Sequence, residues 1–291
     1  MVVQRRAEDR SAISVSWAAG RSRLTSCRSV APLKILNPRT HARYCAAILS
    51  SYGGGLVAGD RVDLRIDCGP GAGLFLGSQA FTRIYRTIGG VGSSQLINGT
   101  IGAGGCVVVL PDPVVPYAQS AFRQEQAWDL QDDALLVIVD WFTAGRLERG
   151  ERFQYSSYAS DVTVSLRGRP VLADRLLAQP AMSAVERVGA FGDGTVSLNL
   201  FVVGSPADAR FRFVTAFLAT ELEPLVRTRL HSSQSDDACP VLVSYGHARP
   251  EVFVARAMGR TTGPVQDLVQ LVGDAVATPE ILGENPLRRK Y

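Results

Sequence analysis

Hydrophobic and polar positions alternate along much of this chain, in short runs broken by glycine and proline. Arg61–Cys68 is the cleanest case. Val62, Leu64 and Ile66 fall on one face and Asp63, Arg65 and Asp67 on the other, the pattern of a strand with one face in the core. Residues 74–85, 95–101, 153–166, 171–177, 195–203, 241–245 and 252–257 also read as strands. Cys106–Leu110 and residues 135–139 are apolar throughout, as strands covered on both faces are. Turn signals separate these runs at Gly69-Pro70-Gly71, Gly89-Gly90 and Gly102-Ala103-Gly104-Gly105. Many short strands divided this way predict a sandwich, a barrel or a solenoid. No repeat of fixed period is present, so a solenoid would be irregular.

Two segments change period. Residues 215–230 place Leu218, Leu222, Leu225 and Val226 on one helical stripe, with Pro224 set to kink or split it. Thr262-Gly263-Pro264 opens a second helix, whose apolar face is Val265, Leu268, Val269 and Val272. The expectation is therefore a mainly β chain, 1–291, forming one domain. It is β-rich over 30–210 and 240–258, helical near 215–230 and 262–276, with an exposed loop at 232–237 and a mobile basic tail at 285–291.

Composition narrows the class. At 291 residues, 46% hydrophobic and 20% charged, the chain has the balance of a folded globular protein. No apolar stretch approaches the roughly 18 residues that span a bilayer, and no apolar segment follows Arg5 and Arg6 as a secretory signal requires. The expectation is a cytoplasmic protein with no membrane partner. The net charge of +4 comes from scattered residues, almost all arginine, rather than from a basic stripe, which argues against nucleic acid. The five cysteines are far apart and the histidines number three. Neither a disulfide framework nor a zinc site is predicted. Cys106, inside an apolar strand, reads as inert core.

Three stretches carry candidate chemistry. In Ser51-Tyr52-Gly53-Gly54-Gly55-Leu56-Val57-Ala58-Gly59-Asp60, glycines invite comparison with a phosphate cradle. A strand follows where such a cradle requires a helix, so a tight corner that delivers Asp60 into the strand is the better reading. In Leu110-Pro111-Asp112-Pro113-Val114-Val115-Pro116-Tyr117, three prolines stiffen the backbone around Asp112, either as a loop over a sheet edge or to present a carboxylate. In the third, Asp140 follows a buried strand with Arg146, Glu148 and Glu151 nearby. Arg146 is its candidate partner, in a structural ion pair or in a polar line through the interior. No nucleophile elbow or histidine base is evident. An Asp140/Glu151 carboxylate pair leaves an all-β hydrolase as the alternative.

Taken in order, four segments resemble the urease accessory protein UreD (UreH) family: Tyr52 through Asp60, Phe81-Thr82-Arg83-Ile84-Tyr85-Arg86, Leu110 through Tyr117, and Gly145-Arg146-Leu147-Glu148-Arg149-Gly150-Glu151. The resemblance is firm from residue 30 to 165 and offers little between 180 and 250. It implies a fold, an irregular β-helix-like stack of strands with about two helices in the C-terminal third. It implies a non-enzymatic role, that of a chaperone that binds apo-urease and recruits UreF and, through UreF, the GTPase UreG. Nickel would be in transit, with no permanent cofactor. Carried onto this chain, Asp60, Asp140 and Glu151 are the motif carboxylates expected along an internal hydrated passage. Asp112 is a further candidate, and Arg146 supports one of them. Isolated carboxylates suit a cation that must be attracted without being trapped. A homodimer within such a complex is left open.

Overall fold

The computed structural model describes residues 10–187, 190–226 and 240–288. In chain order the strands are β1 (Ser11–Ala18), β2 (Arg21–Arg28), β3 (Leu33–Leu36), β4 (Cys45–Ser51), β5 (Arg61–Cys68), β6 (Gly73–Ser78), β7 (Thr82–Ile84), β8 (Ser93–Ile101), β9 (Cys106–Leu110) and β10 (Val114–Pro116). They continue with β11 (Ala121–Leu130), β12 (Leu135–Thr143), β13 (Ser157–Leu166), β14 (Arg169–Ala178) and β15 (Val196–Val203). Helix α1 (Ala209–Leu222), β16 (Val241–Arg249), β17 (Val252–Gly259) and α2 (Thr262–Ala275) complete the order.

From β4 to β13 the long strands alternate between two sheets. β4, β6, β9 and β12 pair in parallel in one, and β5, β8, β11 and β13 in the other. Each β-turn-β unit is thus one coil of a solenoid laid on the last. The glycine turns stack too: Gly71 N–H donates to Ala103 O, and Gly104 N–H to Asp132 O, both at 2.9 Å. β1 adds to β5 in parallel, and antiparallel strands then close the stack: β2 and β14 flank one sheet, and β3 with β15, β17 and β16 flank the other. Short β7 and β10 pair with each other, and β10 joins β12.

Two apolar cores follow from the parity of the strands. Between the sheets lie Leu64, Ile66, Leu76, Ile101, Leu136 and Ile138 among others. Val108, Leu135, Val137, Val139, Leu198 and Leu200 face the other way, under α1 and α2. That double cover explains why β9 and β12 read as unbroken apolar runs. Phe211, Val214, Leu218 and Leu222 seat α1; Val265, Leu268, Val269 and Val272 seat α2. No helix among the described residues is long and apolar enough to cross a membrane.

The mainly β, solenoid-like fold with two C-terminal helices agrees with expectation; several boundaries do not. Strands begin at Ser11, well before residue 30. Residues 74–85 are two strands because the chain turns after Ser78, and 153–156 precede β13 rather than join it. β11 was not expected at all. The first helix starts at Ala209, ahead of residue 215, and ends where Pro224 enters a 3-10 turn, Glu223–Leu225. Asn285 and Leu287, expected in a mobile tail, are buried, and Asn285 Nδ2 donates to Asp274 Oδ1 at 2.8 Å. Residues 227–230, the 232–237 loop, His231, Cys239 and residues 289–291 lie outside the described residues.

Stacking is close where β8 meets β11. Gly99 pairs with Trp128, and a Cβ on Gly99 would lie 2.1 Å from the indole, inside the core. Gly99→Ala is expected to destabilise the protein by about 1–3 kcal/mol, read as a lower urea midpoint at unchanged slope with a shift in tryptophan emission.

Candidate functional site

The inward row of β11 is Phe122, Gln124, Gln126, Trp128 and Leu130, all buried. Two amides therefore stand in an otherwise apolar row. Because the coils stack in register, Gln124 is flanked by Gln95 of β8 and Ser160 of β13. Facing this row from the other sheet is Asp140, in the middle of β12 rather than after it, on the same side as Ile138 and Phe142. The Gln124 Nε2 amide donates to Asp140 Oδ1 (2.6 Å) and the Ser160 hydroxyl to Oδ2 (2.5 Å). Gln124 Nε2 also lies 3.2 Å from the Tyr158 hydroxyl. Burial pushes the Asp140 carboxyl up to about 6, further than these two hydrogen bonds pull it down, and Asp174 adds to the rise.

A cavity of about 40 Å³ opens beside this group, lined by Asp112, Asp140, Gln95, Gln124, Gln126 and Thr82 among apolar walls. That exceeds the roughly 10–15 Å³ one water needs. Asp112 is buried there as well. The Ser78 hydroxyl donates to Asp112 Oδ2 (2.8 Å), and the Asp112 backbone N–H donates to Ser78 Oγ (2.6 Å). Two carboxylates and three amides thus border one narrow space whose other walls are mainly apolar. Among the described residues no group of three or more His, Cys, Asp or Glu converges as a metal cage. Such a donor set suits a hydrated, oxygen-preferring cation held weakly. Burial lifts the Cys68 and Cys106 thiols to about 12, which makes them core side chains rather than nucleophiles.

Asp60 and Glu151 stand elsewhere, at the surface, where the four motif segments meet. Gly55 lies so close to β7 that a Cβ would come within 2.5 Å of Arg83 O; glycine is needed there for the approach. Leu56 N–H then donates to Arg83 O (2.8 Å), and Tyr85 N–H to Leu56 O (2.9 Å). β10 pairs with β7, and Tyr117 packs edge-on against Tyr85 at 5.2 Å. The Arg146 guanidinium sits 3.9 Å over the Tyr117 ring and pairs with Glu151 (Nε to Oε2, 2.8 Å). Glu151 also accepts from Ala118 N–H (3.1 Å). The Arg146 contact holds the Glu151 carboxyl below its usual range. Together Val57, Ala58, Tyr85, Arg86, Tyr117 and Glu151 border an open cleft of about 930 Å³. Asp60 shapes its wall by accepting from Val57 N–H (2.8 Å), closing the 57–60 turn. Its own side faces a separate depression with Ser11, Pro32 and Asp63.

Two sequence expectations are corrected here. Arg146 is the partner of Glu151, not of Asp140, because β12 runs on to Thr143 and turns Asp140 inward. Asp140 and Glu151 border different spaces, which removes the carboxylate pair on which the hydrolase alternative rested. The residues that sequence reasoning missed, Gln124, Gln126, Ser160 and Tyr158, carry one signal. In β11 the charged side chains Arg123, Glu125 and Asp129 all share the face opposite the amides.

A carboxyl whose native pKa exceeds its unfolded value costs stability once ionised. With Asp140 raised from 3.8 to about 6, native stability falls as pH rises through that window and stays lowered above it, by roughly 3 kcal/mol. Asp140→Asn, which preserves an acceptor for Gln124, is expected to flatten this loss. Thermal melts of both proteins from pH 4 to 8 should show the variant's advantage growing up to about pH 6; a pH-independent difference would contradict the assignment.

Comparison with known proteins bears on the whole chain. The profile of a family described as UreD urease accessory protein matches residues 8–291. The urease accessory protein UreD of Cytophaga hutchinsonii is 33% identical over 279 residues, covering 95% of this chain and 96% of that protein. UreD of Sorangium cellulosum is 42% identical over 174 residues, covering 60% and 55% respectively. Urease accessory protein D of Arabidopsis thaliana is 35% identical over 170 residues, covering 57% and 58%. With the profile spanning almost every residue and one relative matched nearly end to end, this chain belongs to the UreD urease accessory protein family.

Proposed function

We propose that this protein is a cytoplasmic, non-catalytic scaffold of urease maturation. It binds apo-urease and recruits UreF and, through UreF, the GTPase UreG, so that nickel crosses its interior on the way to the urease active site. Family membership supports the maturation role. The observation that carries the nickel route is the pairing of Asp112 and Asp140 on one narrow cavity between the sheets. A divalent cation entering it would find two carboxylates and amide oxygens, enough to offset lost hydration without a closed ligand cage. Asp60 and Glu151, each tied to a local partner, would act at the surface, shaping the cleft where the motif segments converge.

The test is activation of apo-urease by nickel and GTP with UreF, UreG and this chain. Leaving the chain out is expected to abolish GTP-dependent activation. Asp140→Asn is expected to slow it by about tenfold or more, with Asp112→Asn weaker, while size-exclusion shows the complex still assembled. Activation that is indifferent to the chain would overturn the reading. Full activation by both variants would leave the scaffold and remove the route.

A further inference from the structure

The buried polar group does not end at Asp140. Its cross-strand neighbour in β15 is Asn199, and the neighbour of Asn199 in β17 is Arg256. Their flanking residues Leu198, Leu200, Ala255 and Ala257 face the helices, so this row turns toward the opposite sheet. Arg256 Nη1 donates to Asn199 Oδ1 at 2.7 Å, and Arg256 Nη2 pairs with Asp174 of β14. Asp174 lies two residues from Leu176, which is registered with Ser160, the hydrogen-bond partner of Asp140. Exposure rises along the row. Asp140 and Asn199 are 5% and 6% exposed, whereas the side chains of Asp174 and Arg256 reach 15% and 52%. The polar row therefore runs from the interior to the rim between β14 and β17, and an ion pair from both sheets closes it there.

The sign of the outer charge matters. Guanidinium stays protonated at any physiological pH, so a cation arriving at this rim meets a fixed positive group before any acceptor. Paired with Arg256, Asp174 has little attraction left for it. With Arg256 withdrawn, Asp174, Asn199 and Asp140 would form an oxygen-bearing acidic path. We infer that Arg256, held on Asp174, is a cation-excluding plug on a side entrance to Asp140, and that a hydrated divalent cation passes this rim only when Arg256 leaves Asp174. The inference rests on the reading of Asp140 as a station for that cation.

The plug is tested on the full chain without urease. Ser160→Cys places a thiol beside Asp140, and its modification by small cationic and neutral methanethiosulfonates is followed by peptide-resolved mass spectrometry, separately from exposed Cys27. Adding Arg256→Ala is expected to speed the cationic reagent by about tenfold and the neutral one much less. Arg256→Gln, which keeps a donor for Asn199, serves as a second variant if the first melts early. Arg169→Ala removes another ion pair joining these sheets, that with Glu251, and is expected to leave both rates near the parent. Equal acceleration of both reagents by Arg256→Ala and Arg169→Ala would reduce the pair to a staple between sheets. No acceleration by either Arg256 variant would overturn the plug. Either result leaves the Asp140 station standing, because that is judged by urease activation.

Discussion

In-register parallel stacking of the coils is the constraint on which this structure depends. Each backbone ladder lays β5, β8, β11 and β13 side by side, so a residue type at one position meets its counterparts on the coils above and below. Leu64 and Ile97 share such a row, as do Ile66 and Gly99 with Trp128. The same geometry makes Gln95, Gln124 and Ser160 a single polar strip instead of three isolated defects. A polar feature in a solenoid is thus automatically linear. That property would suit the proposed passage of a cation.

The strip is expensive. Buried amides and carboxylates cost free energy unless their hydrogen bonds are satisfied, and here satisfaction comes mostly from within the strip. Asp140 takes donors from Gln124 and Ser160, and Asp112 exchanges two hydrogen bonds with Ser78. The apolar remainder of the interior and the second core under α1 and α2 supply the stability that offsets this. Polar pairing and apolar packing therefore divide the interior between them, with the polar residues gathered along part of it and Leu, Ile and Trp filling the rest.

The surface cleft follows from the same stacking. β7 and β10 are too short to form a third sheet, yet their pairing draws three motif segments together. Arg146 and Glu151, which follow β12, complete the group through Tyr117 and Ala118. The motifs are consecutive in space because consecutive coils are neighbours.

Local patterning in the sequence determined a mainly β chain, most of the strands and both helices, because period-two and helical patterning and turn glycines are local signals, whereas the solenoid and the family came from the resemblance carried by four motif segments. The sequence also pointed to Asp112 and Asp140. It did not reveal β11, since inward glutamines erase the apolar half of the alternation on which strand recognition relies. Nor did it separate Asp140 from Arg146 and Glu151, which are near in sequence and lie on opposite sides of a turn. Only the tertiary structure decided that Asp112 and Asp140 share one cavity, that Asp60 and Glu151 do not, and that Asn199 and Arg256 extend the row. Those relations join residues tens of positions apart, and they exist only once the sheets have closed on each other.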